Sequence, residues 1–168
     1  MVTLAVSGIP SFIPSMIELE PECSPYSVDT MQKLASRLRR ENGILYFIAG
    51  GDSLVEVKSW RESEKLLTSY NFVFALRPGT DLSHAGDALS AKAVERMQDF
   101  RGLRGSEIRR RLSESSQPEN GIYVVDVNAP DISATRIRDL ATSGKSIIRM
   151  LPGPVYEYVC KLRLYGER

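Results

Sequence analysis

Residues 44–53 read Ile44-Leu45-Tyr46-Phe47-Ile48-Ala49-Gly50-Gly51-Asp52-Ser53: six apolar residues in a row, then two glycines, an aspartate and a serine. An unbroken apolar run of this length suits a strand covered on both faces of a sheet, whereas a half-exposed strand alternates. Residues 72–76 (FVFAL) and 122–127 (IYVVDV) have the same character. A weaker, partly alternating run over residues 12–20 reads as an edge strand.

Helical periodicity fills the intervals. Met31, Leu34, Ala35 and Leu38 recur at i, i+3, i+4 and i+7 after Ser27, a candidate N-cap, and the stretch ends at Asn42-Gly43. Ser59-Trp60-Arg61-Glu62 has the form of a capping box and predicts a helix reaching Tyr70. A third helix is expected over residues 133–143, closed by Gly144. Pro154 opens a last one, with Val155, Tyr158, Val159 and Leu162 on one face. Strands alternating with helices predict an α/β, Rossmann-like architecture: a mostly parallel sheet with helices on both faces. Residues 81–120 are looser and carry Arg96, Arg101, Arg104, Arg109, Arg110 and Arg111. They are expected to be a helical and loop excursion, at 80–120, with a solvated basic face.

The 168 residues fit a single domain spanning 1–168. Twenty-two Lys and Arg against 21 Asp and Glu leave a net charge of +1, which gives no reason to expect a nucleic-acid or membrane partner. Two cysteines, Cys23 and Cys160, form no disulfide framework, and no apolar run is long enough to span a bilayer. A soluble, cytoplasmic protein is the expectation. His84 is the one histidine, in a polar loop; with it and two separated cysteines, zinc chemistry has no ligand set. No G-x-S-x-G marks a serine hydrolase.

Ligands of an open parallel sheet bind beyond the carboxyl ends of its strands. There the first run yields Gly50-Gly51-Asp52-Ser53, in which glycine admits a ligand to the backbone and aspartate can accept from ribose hydroxyls. The second yields Arg77-Pro78-Gly79. The third leads into Ser133-Ala134-Thr135-Arg136-Ile137-Arg138, hydroxyls and cations at a helix start, which suits a phosphate. All three loops are expected on one edge. A tight turn at Gly-Gly-Asp, a plain helix cap at Ser133 or Thr135, and a packing role for Trp60 remain the alternatives.

The chain resembles the bacterial nicotinate-mononucleotide adenylyltransferases of the nucleotidyltransferase α/β superfamily. Ser24-Pro25-Tyr26-Ser27-Val28-Asp29-Thr30 is similar to the family's S-Y-T-x-x-T helix start, and Phe47-Ile48-Ala49-Gly50-Gly51-Asp52-Ser53-Leu54 to F-I-x-G-x-D-S-L, followed by Ser59-Trp60. Arg77-Pro78-Gly79 matches R-R-P-G, and residues 132–138 match I-S-[SA]-T-x-I-R. The resemblance implies adenylyl transfer from ATP, with Mg2+ on its phosphates, to nicotinate mononucleotide. It assigns Gly50 and Asp52 to the adenosine side, and Ser133, Thr135 and Arg138 to the base and polyphosphate, Arg138 being the catalytic candidate. It sets Trp60 against the nicotinate ring, the backbone of Arg61 near its carboxylate, and Ser27 and Thr30 beside the mononucleotide. Arg77 is a looser substrate assignment.

The family's F-D-P-x-H-x-x-H loop has no counterpart here, so by resemblance about one N-terminal β-α-β unit, roughly 30 residues or more, is missing. The first strand would then keep an unpaired apolar edge, and self-association through it is expected. The alternative to an enzyme is a non-catalytic nucleotide-binding or interaction module that retains only the mononucleotide half-site.

Overall fold

The computed structural model describes residues 1–21, 24–38, 43–77, 79–80, 89–114 and 120–166; Cys23, Pro78 and His84 lie outside them. Along the chain run α1 (Val2–Ala5), α2 (Ser27–Leu38), β1 (Tyr46–Gly50), α3 (Gly51–Glu56), α4 (Ser63–Ser69) and β2 (Asn71–Leu76). Then come α5 (Ala91–Glu95), β3 (Met97–Asp99), α6 (Gly105–Glu114), β4 (Ile122–Asp126), α7 (Ala134–Thr142) and α8 (Gly153–Lys161). The chain divides into two compact units, Ile17–Ala129 and Met1–Met16 with Pro130–Arg168.

The larger unit holds a four-stranded sheet in the order β1-β2-β4-β3, every pairing parallel. Alternate side chains along the strands project Phe47, Ala49, Phe72, Phe74, Leu76, Ile122 and Val124 into one core. Val28 and Met31 of α2, Leu54 of α3, Leu66 and Leu67 of α4 and Ala93 of α5 fill the same core. The rings of Phe47 and Phe72 lie 5.1 Å apart and those of Phe72 and Phe74 5.7 Å apart, so aromatic packing crosses and climbs the sheet. Full burial of such side chains stabilises by about 1.5–3 kcal/mol each. Where three strands begin, Asn71 is buried: its Nδ2 donates to Leu45 O at 3.2 Å, and its Oδ1 accepts from Gly121 N–H at 2.9 Å.

Four sequence expectations are corrected. β1 is an edge strand, its residues alternating between exposed and half-buried, with Ile48 71% exposed, so it is not covered on both faces. Residues 12–20 form no strand: Ile17–Leu19 is a 3-10 turn, and Phe12 and Ile13 stand in solvent. Pro10, Pro14 and Pro21 deprive that stretch of amide donors. Ser59 opens no helix; its hydroxyl donates back to Glu56 O at 2.8 Å and closes the 3-10 turn Val57–Ser59, so α4 starts only at Ser63. The arginine-rich excursion contributes β3, which extends the sheet beyond β4. In that excursion Arg96 is half-buried and donates to Thr68 O, and Arg101 pairs with Asp99 at 2.5 Å, whereas Arg104, Arg109, Arg110 and Arg111 are exposed.

The smaller unit gathers Leu4 and Ala5 of α1, Ile137 and Leu140 of α7, and Val155 and Val159 of α8 around Ile147. α7 is capped by Ser133 and closed at Gly144, which has φ +68°, a left-handed conformation suited to glycine. On α8 only Val155 and Val159 are buried; Tyr158 and Leu162, expected on the same face, are largely exposed. Among the described residues no helix is long and apolar enough to cross a membrane.

Candidate functional site

β1, β2 and β4 are parallel, so their carboxyl ends at Gly50, Leu76 and Asp126 share one edge of the sheet. The two glycines after β1 have different surroundings. Gly50, extended at φ −69° and ψ 161°, caps α3, and among the described residues a Cβ there would meet nothing within 4 Å. A Cβ on Gly51 would lie 2.6 Å from Leu76 Cδ2 and 2.7 Å from Thr80 Cγ2. The start of α3 therefore sits hard against the end of β2 and the turn that follows it. The approach brings Asp52 to Arg77, whose Nη2 donates to Oδ2 at 3.4 Å. Their side chains are 74% and 48% exposed, so the pair contributes well under about 1 kcal/mol and both groups stay open to a ligand. Thr80 closes the turn, its hydroxyl donating to Arg77 O at 2.8 Å, with Gly79 at φ +84°.

A second group forms where α2 begins. Trp60 has extended backbone between the 3-10 turn and α4, and its ring meets Phe47 edge-on, centroids 6.0 Å apart at 74°. Glu62, two residues on, takes a left-handed conformation at φ 50° and ψ 41°, which costs a non-glycine residue about 1 kcal/mol. Between them the Arg61 guanidinium carbon lies 4.6 Å from the centre of the Tyr26 ring. The carbonyl of Tyr26 accepts from the N–H groups of Asp29 and Thr30 at 3.0 and 3.2 Å, so Tyr26 stands at the threshold of α2 with Ser27 next to it. Arg61 is thus brought to Tyr26, with Trp60 and Ser27 their neighbours along the chain. Thr30 is buried, and its hydroxyl donates to Glu18 Oε1 at 2.8 Å, fastening the Ile17–Leu19 turn onto α2.

On α7, Ser133 Oγ accepts from Arg136 N–H at 3.1 Å, the expected cap. Arg138 Nη2 donates to Thr135 Oγ1 at 3.3 Å, and Arg136 Nη1 lies 3.9 Å from Asp131 Oδ2. All of these side chains are exposed.

Residues 14–140 match the cytidylyltransferase-like family. The probable nicotinate-nucleotide adenylyltransferase of Thermoanaerobacter sp. (strain X514) is 33% identical over 167 residues, 99% of this chain and 68% of that protein. The enzyme of the same name from Pelobacter propionicus is 35% identical over 170 residues, covering 99% and 73%. The chain belongs to the nicotinate-nucleotide adenylyltransferase family. Its fold is also that of Plasmodium falciparum nicotinic acid mononucleotide adenylyltransferase. The complex of that protein with APC has a TM-score of 0.59 at 19% identity, covering 98% of this chain and 71% of that one. The complex with NaAD gives 0.53 at 16%, covering 86% and 58%.

Tyr26 is a residue whose contact with Arg61 the sequence does not announce. It stands inside the run that carries the resemblance, but the contact with Arg61 depends on the packing of α2 beside α4, which no local signal encodes. Among the described residues no group of three or more His, Cys, Asp or Glu side chains is arranged to hold a metal ion.

Proposed function

We propose that this chain transfers the adenylyl group of ATP to nicotinate mononucleotide, giving nicotinate adenine dinucleotide and pyrophosphate. An oxygen of the mononucleotide phosphate attacks the α-phosphorus of ATP. The bond from that phosphorus to the oxygen bridging to the β-phosphate breaks, and its electron pair leaves with pyrophosphate. Such chemistry asks the protein for alignment and charge neutralisation and no covalent intermediate. Trp60 offers an aromatic face to the pyridine ring, with Ser27 and the backbone of Arg61 beside it, and Thr30 holds the start of α2 in place. Gly50 gives ATP an open approach to the backbone, Asp52 accepts from the ribose, and Arg77 stands next to Asp52 as a cation for phosphate. On α7, Ser133 and Thr135 are assigned to ATP, and Arg138 to the charge that develops on the departing pyrophosphate. Magnesium arrives as the complex of ATP, and the reaction belongs to the cytoplasm, where ATP is abundant.

The observation that carries this reading is the contact of Arg61 with Tyr26 at the start of α2, with Trp60 and Ser27 next to them along the chain, in a chain of this family. Incubation with ATP, Mg2+ and nicotinate mononucleotide, followed by chromatography, is expected to show dinucleotide and pyrophosphate in equal amounts. Binding of the mononucleotide with no dinucleotide formed would favour a non-catalytic module, and absence of both would overturn the proposal. The free side of β1, flanked by the exposed Ile44, Tyr46 and Ile48, supports self-association as a further part of it.

A further inference from the structure

Residues 101–111 carry five arginines against one glutamate, a local charge of +4 in a chain whose net charge is +1, so the remainder of the chain is net acidic. Asp99 neutralises only the first of them, Arg101, whose Nε donates to both carboxylate oxygens at 2.9 Å. Among the described residues no carboxylate lies within ion-pairing distance of Arg104, Arg109, Arg110 or Arg111, and all four are exposed. The segment is nevertheless fastened. Gly102 N–H donates to Asp126 Oδ2 at 2.8 Å, tying the loop after β3 to the end of β4, and Arg104 N–H donates to Glu107 Oε2 at 2.7 Å, one half of a capping box at the start of α6. α6 itself buries no residue, and a ten-residue helix is marginal in water on its own, so core burial does not account for it. Its acid in the first turn and its arginines toward the C-terminus suit the helix dipole.

The place of this charge in the fold gives it a use. β3 is parallel to β4, so the loop it feeds leaves from the same edge of the sheet as Gly50, Leu76 and Asp126. Two strand spacings, about 10 Å, separate β3 from β2, which ends next to Arg77. The Asp99 carboxyl is held below its ordinary value by the hydrogen bond from Arg101 and, to a smaller extent, by the charge of Arg111, so the last part of α6 acts on this edge as well. Charges exposed at such a distance reach an approaching ion when salt is low, since screening sets in over about 30 Å at 0.01 M and about 3 Å at 1 M.

We propose that the arginines of α6 are an electrostatic collector that speeds the arrival of phosphate-bearing substrates at the carboxyl edge of the sheet, without contact once the substrates are bound. This rests on the adenylyltransferase reading and adds to it a kinetic role for a helix outside the binding residues. Both ATP and the mononucleotide are anions, which the acidic remainder of the chain repels and α6 attracts. Steering of this kind raises the association rate and falls away with ionic strength, whereas a direct contact to bound substrate changes the dissociation rate.

The test compares the wild type with R109Q/R110Q/R111Q, in which glutamine keeps the helix-forming tendency at exposed positions. Stopped-flow mixing with nicotinate mononucleotide, read by the fluorescence of the single tryptophan Trp60, separates association from dissociation, and pyrophosphate release gives kcat and kcat/KM. At about 0.01 M salt the glutamine variant is expected to lose about fivefold to tenfold in association rate and in kcat/KM, with dissociation rate and kcat unchanged. At about 1 M salt the two proteins should converge. R109K/R110K/R111K keeps the charge and should behave as the wild type at both. A glutamine variant that associates and turns over as fast as the wild type at low salt, one whose deficit persists at high salt, or one that differs in dissociation alone overturns the inference and leaves the adenylyltransferase reading standing. A wild-type chain that forms no dinucleotide and whose fluorescence does not respond overturns both.

Discussion

Replacing Asn71 with leucine deletes a side chain that ties together the segment entering β1, the first residue of β2 and the residue before β4. Asn71 is 6% exposed, and both of its hydrogen bonds end on backbone, at Leu45 O and Gly121 N–H. Two neutral hydrogen bonds are lost at about 1 kcal/mol each. The buried Gly121 N–H then has no acceptor, which adds about 1 kcal/mol or more, and leucine returns part of this through its own burial. The expected net loss is about 2–3 kcal/mol, or roughly 5–10 °C in Tm for a chain of this size. Urea unfolding followed by Trp60 fluorescence reads this unit, because the ring packs on Phe47. Asn71→Asp sharpens the test. Its carboxylate still accepts from Gly121 but faces the Leu45 carbonyl as a buried anion, which raises its folded pKa above the unfolded value of about 3.9. The aspartate variant should therefore be destabilised at neutral pH and recover relative to wild type as pH falls toward 4, where the protonated acid can donate to Leu45 O. A leucine variant losing under about 1 kcal/mol, or an aspartate variant whose deficit does not shrink with acid, refutes the assignment of Asn71 as a buried clamp.

Three further outcomes are expected. Trp60→Ala should lower kcat/KM for nicotinate mononucleotide at least about tenfold while leaving KM for ATP unchanged, whereas Trp60→Phe keeps a ring against Phe47 and should lose less; steady-state kinetics decide. Ile48→Lys should cost under about 0.5 kcal/mol, because the side chain is 71% exposed, and should shift the mass measured by light scattering toward monomer; an unchanged mass argues against association through β1. The hydrogen bond from Arg101 holds the Asp99 carboxyl below its ordinary value. The folded state then gains stability that is present above the unfolded pKa and lost as pH falls through the folded one. Both side chains are more than two-fifths exposed, so Asp99→Asn should flatten acid unfolding by only about 0.5 kcal/mol; a larger effect would mean that Asp99 does more than pair with Arg101.

What the sequence revealed of the fold follows from where each strand lies. β2 and β4 sit between neighbours, so their apolar runs are long and unambiguous. β3 is a three-residue edge of Met97, Gln98 and Asp99 that pairs with β4 alone, and a segment that short and polar has no period to detect. β1 misled in another way. Its run is apolar on both faces, yet Tyr46, Ile48 and Gly50 are exposed, so the composition reports a covering that this structure does not supply. The capping box failed because Trp60 keeps an extended backbone and Glu62 a left-handed one, so no helical N–H follows for the Ser59 oxygen to accept from, and its hydroxyl donates back to Glu56 O.

At the candidate site the sequence offers residue types suited to the chemistry and is silent on packing, and the paired glycines separate the two cases. Both were expected to admit a ligand, but among the described residues only Gly50 has no neighbour within 4 Å of an added Cβ; Gly51 is occupied from outside by Leu76 and Thr80. Alanine substitutions should therefore act in opposite ways. Gly50 has φ −69°, which alanine adopts without strain, so Gly50→Ala should leave stability unchanged or raise it by about 0.4–1 kcal/mol through the unfolded chain. If ATP approaches the backbone there, the added methyl should raise KM for ATP. Gly51→Ala must displace the Leu76 and Thr80 side chains, which costs about 1–3 kcal/mol, and it moves Asp52 relative to Arg77. Thermal unfolding and ATP kinetics on the two variants separate a glycine kept open for a ligand from one kept for packing. Equal loss of stability in both would show that the space beside Gly50 is part of the fold, and the place assigned to ATP would have to be sought elsewhere.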